Sequence, residues 1–473
     1  MSVTPYRTNL FQDHKELYQL LFRGKQQSVE KDCPQIVSIS QEIEQLDPLS
    51  VLQTLARPNQ LHFYFEKRSN NEAIAAIDAV AFIKIEGINR YQKSQSFIKY
   101  CLANIISNCH LSLPFAGPHF FCSFTFNDEK LSVDSPFHPA TVFLPRWQIS
   151  IRKNSCVLVA NIEVDYKTNL EVLLESFCTR LKIISWSGHR LSNINKKPQN
   201  KFIKQATQNA EGFKLSVLSA LESIQAKQFS KIVLANAIDV VSLLPFNLVN
   251  SLNNLRSRYP DCSVFSINNG KGKTFIGASP ERLISIQNHQ LVTDALAGSA
   301  PRGKTAIEDA EFAHRLLSSE KERREHQVVL DFITERLSYL GLVPHLLPTP
   351  QLRQLSNIQH LWTPIQAQIP IDVHPLDIVA QLHPTPAVAG VPRDIALRHI
   401  RRYEHFDRCL YAAPLGWIDH QGNSEFIVGI RSALIDGSQA RLYAGVGIVA
   451  GSDPDKELVE IQLKLQALLK ALL

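Results

Sequence analysis

The stretch Ser424-Glu-Phe-Ile-Val-Gly-Ile-Arg-Ser-Ala-Leu-Ile-Asp-Gly-Ser-Gln-Ala-Arg-Leu-Tyr-Ala-Gly-Val-Gly-Ile-Val449 decides the fold class. Ser424 to Leu434 and Arg441 to Val449 alternate at a period of two, and Asp436-Gly-Ser-Gln439 between them carries turn chemistry, so a β-hairpin is predicted. Downstream, Leu458, Ile461, Leu465, Leu468 and Leu472 make the stripe of an amphipathic helix from about Asp455 onward. Upstream, a helical pattern runs from Phe202 to Ile224, followed by a strand Phe229-Ser-Lys-Ile-Val-Leu-Ala235. Further strands are expected at 262–267, 274–278 and 281–287, with helices near 309–337, 375–381 and 393–404. Hairpins mixed with helices, without a βαβ rhythm, predict an α+β fold.

The first 200 residues give strand-like runs at Leu61–Phe65, Phe120–Phe126 and Val157–Ala160, and helical patches near 90–107 and 168–182. No catalytic motif stands out there. The polar, proline-containing segment Asn193 to Asn200 is the best linker candidate. The chain has 473 residues, 44% hydrophobic and 20% charged, which excludes a disordered or fibrous protein. A net charge of +6 not gathered into a basic tail argues against nucleic acid as a partner. Eight scattered cysteines, without a C-x-x-C pair or zinc spacing, read as reduced thiols. No apolar leader and no run of about 18 uncharged apolar residues is found, so a cytoplasmic protein without a membrane span is expected.

Several residues have the makings of chemistry. Lys231 has Phe229, Val233 and Ala235 on its own strand face; desolvation would suit it to base work, whereas the plain reading is a strand-end lysine whose ammonium reaches water. Glu281 follows Phe275-Ile-Gly-Ala-Ser-Pro280 in a turn between two apolar strands, either shielded and able to act as an acid or simply solvated. Glu325 shares a helix face with Val328, Val329 and Phe332, so it points inward and needs a partner: a divalent cation, a buried arginine, or Lys321 at i,i+4. The rest of Glu320-Lys-Glu-Arg-Arg324 reads as a solvated face.

On the last helix Glu457, Glu460 and Lys464 form a stripe beside the leucines, either as surface pairs or as metal and anion ligands. A three-residue hairpin loop would put Arg431 opposite Gly445, where alternate glycines (Gly445, Gly447) leave bare backbone beside a guanidinium suited to a carboxylate. Thr293–Gly303 and Leu382–Gly390 read as rigid loops that border ligands or are only turns.

Taken in order, Ser230–Ala235, Phe275–Glu281, Ala295–Gly303, Ser319–His326, Leu382–Gly390, Tyr411–Trp417, Ile430–Ser432, Tyr443–Val449 and Gly451–Pro454 resemble the chorismate-utilising enzymes, and among them the isochorismate-forming branch. The resemblance covers about residues 205–473. It implies one large α+β domain of two stacked antiparallel sheets with helices outside. Residues 1–204 would form the variable N-terminal half and 205–473 the chorismate-binding catalytic region.

By resemblance, Lys231 is the base that activates water for attack at C2 of chorismate, and Glu281 the acid that protonates the departing C4 hydroxyl. Glu325 and Glu460 are the Mg²⁺ ligands. Arg431, Lys464 and Gly445 grip the enolpyruvyl carboxylate, and Gly298, Ser299, His383 and Tyr411 line the cleft. The dianionic substrate explains the need for Mg²⁺ and two cations.

Lys231 stands where the ammonia-using anthranilate branch generally has glutamine, and Ala297 where the aminodeoxychorismate branch has a lysine, so both are disfavoured. No glutamine amidotransferase subunit is expected, and a monomer is. The salicylate-forming branch shares the lysine and is the runner-up. A non-catalytic chorismate-binding paralogue is the alternative of another class, against which the full Lys231, Glu281, Glu325 and Glu460 set argues. Departures from the pattern fall at Asn236, Gln366-Ala367, Cys409 and Ala413, away from these positions.

Overall fold

The computed structural model describes residues 14–108, 113–129, 134–187, 202–206, 210–355 and 358–472, so the linker candidate Asn193–Asn200 lies outside the described residues. Strands and helices alternate irregularly, and every strand pairing is antiparallel except that of Gln35–Ile43 with the short strand Ile105–Ser107. The two stacked sheets expected from the resemblance are joined into one hydrogen-bonded system through the long strand Ala140–Arg152. One arm passes from it through Glu72–Ile85, Leu61–Lys67, Ser263–Asn269, Thr274–Ser279, Ser432–Asp436 and Gln439–Val449 to Lys231–Ser242. The other passes through His119–Phe124, Pro414–Asp419, Ser424–Val428, Arg282–Gln287 and Gln290–Pro301 to Ile358–Gln368.

The arms face each other. The Phe63 and Phe121 rings meet at 5.2 Å, and Ser279 Oγ donates to Val428 O at 2.6 Å. One apolar cluster runs through both halves of the chain, from Leu17 to Leu472. Such interdigitation ties residues 14–187 to the remainder through backbone bonds (Leu61–Lys67 with Ser263–Asn269) and through the core alike. No described helix is long and apolar enough to cross a membrane.

The elements that carry the site depart from the expectations in instructive ways. The hairpin turn has two residues, Asp436 pairing with Gln439, and the ladder ends at Ser432 opposite Tyr443, so Arg431 does not pair with Gly445, which faces Ala235 on its other side. The strand expected from Ser424 to Leu434 breaks after Val428: Arg431 lies outside both ladders with φ at +49°. Residues 202–206, expected as helix, form a strand along Lys231–Ser242, and the helix starts at Ala210. Apolar residues spaced by four fit either assignment when only five residues decide it, and a free sheet edge captured them.

Thr293–Gly303 is not a loop but mostly strand Gln290–Pro301, with the register slipping between Ala297 and Ser299 at Gly298. The helical run near 309–337 is two helices, Ala306–Ser318 and Glu320–Tyr339, because Ser319 accepts from the Glu322 N–H and restarts the helix. The terminal helix Pro454–Leu472 buries Leu458, Ile461, Leu465, Leu468 and Leu472 as its stripe predicts.

Candidate active site

A cavity of about 300 Å³ opens between the strands Lys231–Ser242 and Gln439–Val449, the turn at Glu281, and the helices Glu320–Tyr339 and Pro454–Leu472. It is lined by Lys231, Glu281, Gly298, Ser299, Glu325, Tyr411, Arg431, Gly445, Glu460 and Lys464, segments up to 233 residues apart in sequence. Of the residues singled out from sequence, His383 alone is not on the wall. Its Nε2 pairs with Ala412 O at 3.0 Å and its ring meets Phe126 edge-on, one layer behind the lining residue Ala412. Burial keeps it neutral, with its pKa lowered to about 3.

At the floor, Lys231 opens its strand and pairs with Val449. It is 6% exposed, and its Nζ lies 2.6 Å from Glu325 Oε1. Lys231, from across the cavity, is thus the ion-pair partner of Glu325, rather than Lys321 at i,i+4, which was one of the partners weighed. Glu281 sits in the two-residue turn between Thr274–Ser279 and Arg282–Gln287, and its backbone is fixed by Ser279 Oγ on the N–H and by Val428 N–H on the carbonyl. Its carboxyl is buried, which raises its pKa to about 7; Lys231 pulls against that and Asp294 adds to it. The coupling of Glu281 to Lys231 puts a carboxylic acid and an amine against one space.

The alternate glycines answer a steric demand. A Cβ at Gly445 would lie 2.6 Å from Tyr411 Oη, and one at Gly447 would lie 3.2 Å from Lys231 Cε. Tyr411 in turn stacks on Tyr443 at 5.4 Å and 14°. Arg431, though out of the ladder, has its carbonyl held by Ala278 N–H and its guanidinium over the cavity near Cys262 Sγ at 3.7 Å. Lys464 Nζ reaches Gly445 O at 3.0 Å and Glu460 Oε1 at 2.7 Å.

The mouth carries four glutamates in two pairs, Glu322 with Glu325 and Glu457 with Glu460, each spaced by three on its helix. Burial and the neighbouring carboxylate raise the pKa of Glu322 and of Glu457. Repelling oxygen donors on two facing helices suit a hard divalent cation. Among the described residues, however, no three metal-binding side chains meet at one point, for Glu325 is turned onto Lys231 and Glu460 onto Lys464. The donor set fits such an ion once those two lysine contacts open.

Sequence reasoning missed two residues. Glu322, counted as solvated, accepts the Ser299 N–H at 3.1 Å beside Gly298, whose φ is +78°. His360 pairs its Nδ1 with Ser299 Oγ at 2.8 Å while its Nε2 is enclosed without a partner. Burial together with Arg431 and Lys464 lowers its pKa to about 4, so it meets a ligand as neutral imidazole. No pattern in Gln359-His-Leu-Trp-Thr363 marks it, because polar and apolar residues do not alternate there.

The chorismate binding enzyme family model matches residues 23–473. This chain belongs to that family. The match extends the resemblance over most of the N-terminal half. Family members similar to it include the isochorismate synthase MenF of Bacillus subtilis, 31% identical over 97% of each chain. The salicylate biosynthesis isochorismate synthase of Pseudomonas aeruginosa is 40% identical, but the match spans only 56% of each chain. Among solved structures, the menaquinone-specific isochorismate synthase MenF of Escherichia coli superposes with a TM-score of 0.77 at 25% identity, covering 97% of this chain and 100% of that one. Anthranilate synthase component I of Streptococcus pneumoniae, at 20% identity and a TM-score of 0.68, shares the fold.

Proposed function

We propose that this member of the family is an isochorismate synthase, an isomerase that adds water at C2 of chorismate and expels the C4 hydroxyl. The observation that carries the reading is the pair at the cavity floor: Lys231 and Glu281, both buried, line one cavity, where burial raises the Glu281 pKa to about 7. The full-length similarity to two isochorismate synthases named MenF supports it.

Lys231 takes a proton from water, the hydroxide adds at C2, the two ring double bonds shift, and the C4 oxygen leaves with the proton of Glu281 as water. Net atoms are conserved, and the reverse reaction uses the same two groups with their proton states exchanged. For Lys231 to act, its contact with Glu325 must open. Arg431 and Lys464 supply positive charge for the enolpyruvyl carboxylate, and Gly445, having no Cβ, leaves room for Tyr411 Oη on the same wall. Neutral His360 offers an unpaired Nε2 to a polar group of the ring.

Mg²⁺ is the proposed cofactor, held by Glu325 and Glu460 with Glu322 and Glu457 beside them. Bound there, it would neutralise the ring carboxylate and fix its position. The names of the full-length relatives favour a menaquinone-type quinone as the destination of the product. A single chain using water, without an ammonia-supplying subunit, completes the proposal.

The test is purified protein with chorismate and Mg²⁺, followed by chromatography. Isochorismate as the product supports the reading; none across pH 6–9 refutes it. Pyruvate release with salicylate fluorescence in the same mixture would move the assignment to salicylate formation.

A further inference from the structure

A second cavity, of about 400 Å³, lies on the outer face of the N-terminal arm, under the helices Pro48–Leu55 and Leu170–Ser187. Its floor is apolar: Trp147 and Phe177 stack at 5.3 Å with 20° between their planes, flanked by Ile77 and Ile162. Its rim carries three guanidiniums, Arg57, Arg146 and Arg180, against one carboxylate, Asp78. That carboxylate is already engaged, accepting from Arg146 Nε at 3.1 Å. Arg57 spends one nitrogen on the carbonyls of Thr54 and Ala56, and among the described residues no carboxylate pairs with Arg57 or Arg180.

The backbone here is shaped to make this arrangement. Neighbours on a strand ordinarily point to opposite faces. In this cavity both Ile77 and Asp78, and both Arg146 and Trp147, line the same space. Asp78 has φ at +61°, its Oδ1 bonds the next N–H at 2.9 Å, and the pairing with Ala140–Arg152 slips just beyond it, between Ala79 and Ala81. A non-glycine residue in that region costs about 1 kcal/mol, and here it is the device that brings a charged pair round to an aromatic floor.

We propose that this cavity is a binding site for a small organic carboxylate with an apolar body of one or two rings. Two guanidiniums without carboxylate partners attract the anion, and a stacked aromatic floor takes the ring. Its volume falls within the range of about 300 to 1,000 Å³ typical of pockets for such ligands. The site is separate from the chorismate cavity, with which it shares no lining residue.

The test uses the full chain and 1-naphthoate as probe, with excess chorismate present to block the first cavity. Calorimetry is expected to find one saturable equivalent, weakened about tenfold in Arg180→Gln and again in Arg57→Gln. The neutral probe 1-naphthalenemethanol should bind at least about tenfold more weakly than the acid. In the unaltered protein, 1-naphthoate should slow amide exchange in residues 140–152 and 170–187. No saturable binding beside chorismate, equal affinity in the variants, equal affinity for the alcohol, or protection confined to other segments would each overturn the proposal.

Discussion

The floor and the mouth of the chorismate cavity solve different problems with the same residue types. At the floor, Lys231 and Glu281 are nearly out of water, and burial lifts the Glu281 carboxyl to a pKa of about 7. At the mouth, Glu460 and Lys464 are half exposed, and of the four carboxylates Glu325 and Glu460 are paired with lysines. Low dielectric tunes proton affinity in the first place; clustered carboxylates raise one another's proton affinity in the second. Glu325, bonded to Lys231 from the mouth side, links the two.

That contrast can be broken at the floor first. Lys231→Ala is expected to lower kcat/KM by about 10³-fold or more, since Lys231 is the amine held at the floor; activity within a factor of a few of the parent protein contradicts the role. Glu281→Gln should cost about 10²-fold or more. In the parent protein activity should also fall as pH rises through about 7, where the acid loses its proton, and the variant should lack that limb.

The mouth should respond through the ion instead. Glu325→Gln and Glu460→Gln are each expected to raise the Mg²⁺ concentration for half-maximal activity by at least about tenfold, and unshifted Mg²⁺ titrations would refute them as ligands. Between the two regions, Gly445→Ala adds a methyl where Tyr411 Oη already sits, and a loss of roughly tenfold is expected. Partial recovery in Gly445→Ala with Tyr411→Phe, which removes that oxygen, separates the clash from general damage.

The smallest effect is on stability. The folded carboxyl of Glu281 binds its proton more tightly than the unfolded one, whose value is near 4.5. Its contribution is therefore complete below about 4.5 and lost as pH rises through about 7, by at most roughly 3 kcal/mol. Denaturant melts of the parent protein and Glu281→Gln should converge or diverge over that window accordingly; parallel curves would contradict the shift.

Much of this was legible in the sequence. The stripe of the terminal helix fixed Glu460 and Lys464 beside the leucines, because helical periodicity does not depend on distant partners. The inward glutamate at 325 was readable for the same reason, though not its partner, which comes from a strand 94 residues away. The two-residue turn and the break at Gly429–Arg431 were not readable. Period-two patterning continues through such a break, whereas the left-handed conformation of Arg431 is held by Ala278 in another strand. His360 and Glu322 escaped because a lone histidine on a strand and a glutamate in a charged run look like surface until Ser299 is brought between them.

The central claim is that the cavity floor keeps one carboxylic acid protonated beside one amine. Its most direct test is the titration of the Glu281 carboxyl itself, by infrared difference spectroscopy between the unaltered protein and Glu281→Gln. A protonated-carboxyl band disappearing with a midpoint near pH 7 is the predicted result; a carboxyl already ionised by about pH 5, as for an ordinary glutamate, would contradict it.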